Sequence, residues 1–233
     1  MSDPNLLSQK FGIAPLPDSV VRLGKLVMKR DADVEEIIKV IKTDNALTER
    51  LLRAANTGGR TDIETVDQAV FRTGVGCLLL LAMSEPLIRA VTNTFSTMAS
   101  INLEPVDPIV IGPINGGQFV GSATFAGKAN GVVYIRLKDS FAAFLTSQVL
   151  GTKVPAEIRA GVTDLLKELV NMVVGNFKSN LVDAGLSCKL GLPQVARVTE
   201  FTPPTATQGR HQVFTFRFNK EPVIMDVVVE ATE

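Results

Sequence analysis

The sequence predicts an α+β fold: a small helical bundle, then helices packed on a mainly antiparallel sheet. Three observations carry this. Residues 1–83 read as short amphipathic helices separated by capping residues and glycines. Residues 118–137 hold two β-rich runs, QFVGSATFAG and GVVYIRL, around a glycine turn. After a long helical stretch come three more strand-like runs, CKLGLPQVARV, HQVFTFRF and VIMDVVVE. No internal repeat is present.

The helices of the first part are marked by their caps. Asp33 opens DVEEIIKVIK with Glu36 three residues on, a capping-box spacing. Asp44 caps ALTERLLRAAN, and Gly58 and Gly59 end it. Thr65 and Gln68 repeat the capping box before AVFRTG. Each helix has one apolar stripe, such as Ile37, Ile38 and Ile41, or Leu47, Leu51, Leu52 and Ala55. From residue 84 the texture changes, which sets the expected domains at 1–83 and 84–233. SEPLIRAVTNTFSTMAS reads as a helix with Pro86 near its first turn. INLEPVDPIVIGPINGG is too rich in proline and glycine for a helix and reads as a loop or edge strand. The two β-rich runs meet at Gly127 to Gly131, a hairpin signal. Asp139 is expected to cap SFAAFLTSQVL, and Gly151 closes it. Pro155 then starts a helix that runs to about Ala184.

Composition excludes several function classes. Of 233 residues, 45% are hydrophobic, enough to bury a real core. Lys and Arg total 24 and Asp and Glu total 24, so no basic field draws nucleic acid. With no Trp and one Tyr, base-stacking platforms are scarce. The longest apolar run, VGCLLLLAM, is about half the length of a membrane-spanning helix. The first ten residues lack a signal-peptide pattern, and the expected location is the cytoplasm. Cys77 and Cys188 lie far apart in apolar surroundings and read as reduced, buried thiols. The single histidine, His211, cannot build a metal cluster or a triad with its own kind and reads as a polar strand-end residue. No metal site is expected.

The first part adds a resemblance. Pro15-Leu16-Pro17, the run Asp44 to Thr48 and the run Leu51 to Asn56 resemble the start of the HDOD domain. The similarity covers roughly residues 14–83, the N-terminal part of that domain. HDOD domains resemble metal-dependent HD phosphohydrolases without the metal ligands, and no histidine occurs in this region. The resemblance implies a regulatory or docking bundle; a structural appendage is the other reading.

The helix at 155–184 holds the candidate site. On a wheel at about 100° per residue, Leu165, Leu166, Leu169, Val170, Val173, Val174, Phe177 and Leu181 fill an arc of roughly 180°. Asp164, Glu168, Asn171 and Gly175 share about 60° of the other side, one residue per turn. Asn176 and Asn180 fall on the apolar arc, where they read as buried amides bonded to backbone. An interior Gly175 costs about 1 kcal/mol relative to Ala, so another backbone is expected to come close there. Every amphipathic helix has a polar side, and Glu-x-x-Asn alone singles out nothing.

The wider pattern does more. Asp-x-x-x-Glu-x-x-Asn-x-x-x-Gly-Asn at 164–176, followed by FKSNL, resembles the signature helix of the CheC/CheX/FliY phosphatases of bacterial chemotaxis. EPLIRAVTNTFSTM, GKANGVVYIRL with a helix ending VLG, and LGLPQVARV follow in CheX order. The similarity spans 84–233. One Glu-x-x-Asn helix is visible where CheC carries two, so CheX is the closer match. The resemblance implies removal of the phosphoryl group from the aspartate of a CheY-like receiver domain. Glu168 and Asn171 become the catalytic pair, with Asp164 and Gly175 flanking as partner-contact positions. It also implies a homodimer through the sheet. Mg²⁺ would belong to the receiver, leaving this chain with no cofactor of its own.

Those residue types suit the reaction. An acyl phosphate is already reactive, and phosphoryl transfer through a loose transition state asks mainly for a water held in line with phosphorus. A carboxamide such as that of Asn171 can accept from the water and donate to a phosphoryl oxygen. Glu168 can take a charge-assisted hydrogen bond from a receiver lysine. Two other readings stay open: a non-catalytic adaptor with the same outline, and a nucleotide-signal hydrolase, which the missing metal ligands disfavour.

Overall fold

The computed structural model describes residues 16–29, 31–56, 62–106, 114–127, 130–183, 187–203 and 209–230 of the chain. Pro15, Gly58, Gly59 and Ala184, on which sequence expectations rested, lie outside them, as does 107–113 of the proline-rich stretch. The chain forms two compact units, Met1–Leu87 with Ser179–Ser187, and Ile88–Lys178 with Cys188–Glu233. The fold is α+β, as the pattern of the sequence predicts.

The helices are α1 (Asp18–Val27), α2 (Val34–Lys42), α3 (Asn45–Asn56), α4 (Val66–Ala99), α5 (Asp139–Leu150) and α6 (Pro155–Asp183). In the first unit, Leu23, Ile41, Leu47 and Leu51 lie fully buried where the stripes of α1 to α3 meet. The starts of α2 and α3 are capped as expected. Asp33 accepts from the Glu35 amide at 2.9 Å, and Asp44 Oδ1 accepts from the amides of Ala46 and Leu47 at 2.9 and 3.1 Å. The second oxygen of Asp44 accepts from the Ser19 hydroxyl at 2.5 Å, tying α1 to α3. Asn56 ends its motif by bonding both backbone groups of Ile63, at 2.9 and 2.8 Å, and so closes the loop after α3.

Helix α4 departs from expectation. It is two helical arms, Val66–Gly74 and Cys77–Ala99, meeting at a 105° bend where Gly74 has a φ of 69°, and the second arm carries the apolar stretch and Pro86 through to Ala99. Pro86 is therefore interior rather than near a first turn. Leu78 to Met83 are all buried, and that burial outweighs the hydrogen bond the proline removes. The Pro86 carbonyl accepts from Asn180 Nδ2 at 2.9 Å.

The second unit is built on one antiparallel sheet. Its strands are β1 (Glu104–Val106), β2 (Gln118–Gly127), β3 (Gly131–Lys138), β4 (Cys188–Leu190), β5 (Gln194–Val198), β6 (Gly209–Phe218) and β7 (Glu221–Glu230). They lie in the order β1-β6-β7-β3-β2-β4, with β5 also paired to β2. CKLGLPQVARV, expected as one strand, is thus two short ones split at Gly191 to Pro193, because β4 and β5 pair with different halves of β2. The hairpins β2–β3 and β6–β7 fall where the glycine and Asn219 turns place them, Asn219 with φ 54°. Helix α5 closes at Gly151 in the left-handed conformation, φ 65°. Its start differs from the expectation: the cap position is Lys138, and the Asp139 carboxylate instead takes Arg197 at 2.5 Å.

The core of this unit lies between the sheet and the helices. Phe125 of β2 meets Phe177 of α6 edge-on at 6.0 Å between centroids. Phe95, Phe141 and Phe216 are also fully buried. On β3 the residues Val133, Ile135 and Leu137 are buried, while Val132, Tyr134 and Arg136 point to the other face.

Candidate functional site

Helix α6 carries the site because its two sides do different things. Leu165, Leu166, Leu169, Val170, Val173, Val174, Phe177 and Leu181 are all buried, the arc drawn from the sequence. Asp164, Glu168 and Asn171 are exposed and Gly175 is half-buried. The four predicted site residues therefore sit together as one stripe over three turns.

Their surroundings differ. The Asp164 carboxylate lies 3.8 Å from Lys167 Nζ, with both side chains well exposed, a weak contact. Among the described residues, Glu168 and Asn171 have no side-chain hydrogen-bond partner, so carboxylate and amide are both free to bind a ligand. A Cβ added at Gly175 would meet nothing within 4 Å. The close backbone expected there is thus absent from the described part of the chain, and no internal packing requires the glycine.

The seat of the helix is fixed from behind. A Cβ on Gly121 of β2 would overlap Val170 Cγ2, so only glycine lets α6 approach the sheet this closely. At Gly161 a Cβ would come 2.8 Å from Leu150 Cδ1 of α5, the end of an exposed, flexible side chain that can move aside. Asn176 donates to Thr94 Oγ1 of α4 at 3.0 Å. The two amides on the apolar arc are thus partnered, Asn180 by backbone as expected and Asn176 by a side chain instead.

The opposite face of the sheet holds a polar cluster that the sequence did not announce as a unit. The Asp226 side chain is 1% exposed, and its Oδ2 accepts from Arg136 Nε at 2.7 Å. His211 Nε2 lies 2.8 Å from Asp226 Oδ1, so His211 is part of this cluster and more than a polar strand-end residue. Phe201 packs tilted against Tyr134 at 5.2 Å between centroids and takes the Arg136 guanidinium over its ring at 5.6 Å. Burial, and then the Asp226 charge, hold the Tyr134 hydroxyl above its usual pKa. The signal was present in VIMDVVVE and VVYIRL: one charge inside each apolar strand, on adjacent strands, requires a partner.

Cys188 is buried, and burial pushes its thiol up, with the Lys178 ammonium pulling the other way. Cys77 is only half-buried, against expectation, and neither cysteine is in a disulfide. Among the described residues no group of three or more His, Cys, Asp and Glu side chains could hold a metal, and no single helix is long and apolar enough to cross a membrane.

Residues 119–219 match the model of the chemotaxis phosphatase CheX, and residues 13–104 match the HDOD domain. The chain joins an HDOD domain to a CheX domain. No curated protein matches the sequence. Among solved structures, the CheX domain is similar to the chemotaxis protein CheX of Vibrio vulnificus at 24% identity and a TM-score of 0.55, covering 64% of this chain and 96% of that one. A CheC-like superfamily protein from Shewanella sp. PV-4 matches at 25% identity, TM-score 0.56, covering 64% and 97%. A third match is the CheX–CheY–BeF3–Mg²⁺ complex from Borrelia burgdorferi, at 18% identity, TM-score 0.52, covering 64% and 98%. The α6 stripe thus lies in the CheX domain.

Proposed function

We propose that this chain removes the phosphoryl group from the phospho-aspartate of a CheY-like receiver domain. The observation that carries this is the pair Glu168 and Asn171, exposed and unpartnered on one helix face in a CheX domain. The Asn171 amide accepts a hydrogen bond from a water and donates to a phosphoryl oxygen, which lines the water up with phosphorus. The water adds to phosphorus, the bond from phosphorus to the aspartyl oxygen breaks, and the products are aspartate and inorganic phosphate. Glu168 docks a lysine of the receiver, fixing the approach. Asp164 and Gly175 flank the contact. Mg²⁺ comes with the receiver. The homodimer through the sheet that the resemblance implies belongs to the same proposal, and sedimentation of the full chain tests it.

The test is single-turnover decay of a radiolabelled phospho-receiver with the wild-type chain, Asn171→Ala and Glu168→Ala. The wild type should speed decay, and Asn171→Ala should return it to the receiver's own rate. Binding without faster decay would make the chain an adaptor instead.

A further inference from the structure

The loop between β4 and β5 presents Leu192, whose side chain is 89% exposed, the most exposed large apolar side chain among the described residues. Its position follows from strand register and helix packing. Leu190 stands opposite Phe125 of β2, and Gln194 opposite Ser122, so Gly191-Leu192-Pro193 lies beside residues 123–124. Helix α6 crosses the same strand from Val170 over Gly121 to Phe177 against Phe125. The loop is therefore level with α6 residues 171–176. Lys178 acts electrostatically on Cys188 of β4, and Asn171, seven residues earlier, faces the same way.

This loop is held. The Gly191 amide donates to the Thr124 carbonyl at 2.9 Å, and a Cβ at Gly191 would overlap Thr124 Oγ1. Pro193 fixes its own φ, and both flanking strands pair with β2. Leu192 thus stands on a held turn, exposed to solvent and level with the polar stripe of α6.

We propose that Leu192 is an apolar docking contact for the receiver domain, burying its side chain against the receiver surface while Asn171 reaches the phosphoryl group. This rests on the receiver-phosphatase reading. A polar stripe alone gives orientation and little affinity, since exposed charge contacts are weak. A preordered leucine beside it adds apolar burial at small entropic cost.

The experiment is steady-state dephosphorylation of a phospho-receiver by the full chain carrying Leu192→Ser, Leu192→Met or Asn171→Ala. Leu192→Ser should raise KM roughly tenfold with kcat held, and Leu192→Met should restore KM. Its thermal midpoint should match the wild type, because the side chain is exposed. Asn171→Ala should lower kcat. Should Leu192→Ser leave KM unchanged while Asn171→Ala abolishes turnover, the docking role is wrong and the phosphatase reading stands. A wild type that turns over no phospho-receiver overturns both.

Discussion

Gly121 lies directly beneath Val170, and the missing Cβ of that glycine is what lets α6 rest on β2 one residue before Asn171. The site is thus held in place by a gap in the sheet. Val170 is β-branched and stiff, so it cannot swing away from a new methyl group. Gly121→Ala should cost about 1–3 kcal/mol and slow receiver dephosphorylation together, by lifting α6. Val170→Ala in the same chain should recover part of both. Urea denaturation and turnover measured on the single and double variants check this; additive losses would place the effect elsewhere.

Gly175 should behave in the opposite way. Nothing in the described chain fills the space its Cβ would take. Gly175→Ala should therefore stabilise the protein by about 0.5–1 kcal/mol, the helix preference of alanine. If the position clears room for a receiver, the same change should slow phospho-receiver decay. A stabler variant with unchanged turnover would remove Gly175 from the partner surface.

The carboxylate of Asp226 is buried with Arg136 and His211. Arg136→Met leaves that charge without its main partner, and an expected loss of about 3 kcal/mol follows. Adding Asp226→Leu should restore much of it, because two apolar residues need no pairing. Denaturation midpoints of the single and double variants decide the matter.

Tyr134 is the single tyrosine of a chain without tryptophan, so absorbance near 295 nm reports it alone. Its titration should lie above the ordinary phenol value of about 10 in the folded protein. The sign follows from proton retention. The folded state holds the proton longer than the unfolded state does, so the stability linked to Tyr134 is fully present below the unfolded pKa. It is lost as pH rises through the folded value. Asp226→Asn should lower the midpoint partway, removing the charge and leaving the burial. A wild-type midpoint at or below 10 would contradict the burial of this hydroxyl.

Much of this protein was legible before any coordinates. The helix caps at Asp33 and Asp44, the hairpin at Gly127–Gly131 and the two-sided α6 follow from local chemistry: side chains close to their own backbone, and apolar residues repeating at the period of the helix. The placing of Asp164, Glu168, Asn171 and Gly175 on one face needed only 3.6 residues per turn. Tertiary structure decided what depends on partners distant in sequence. It carried α4 through Pro86, because burial of the preceding apolar run outweighed the lost hydrogen bond. It turned Asp139 from a cap into the partner of Arg197. It joined Arg136, His211 and Asp226 across neighbouring strands, and it set the Leu192 turn beside residues 123–124 of β2 through the register of that strand. Local free energies fix elements; which distant side chains meet is fixed only when those elements pack.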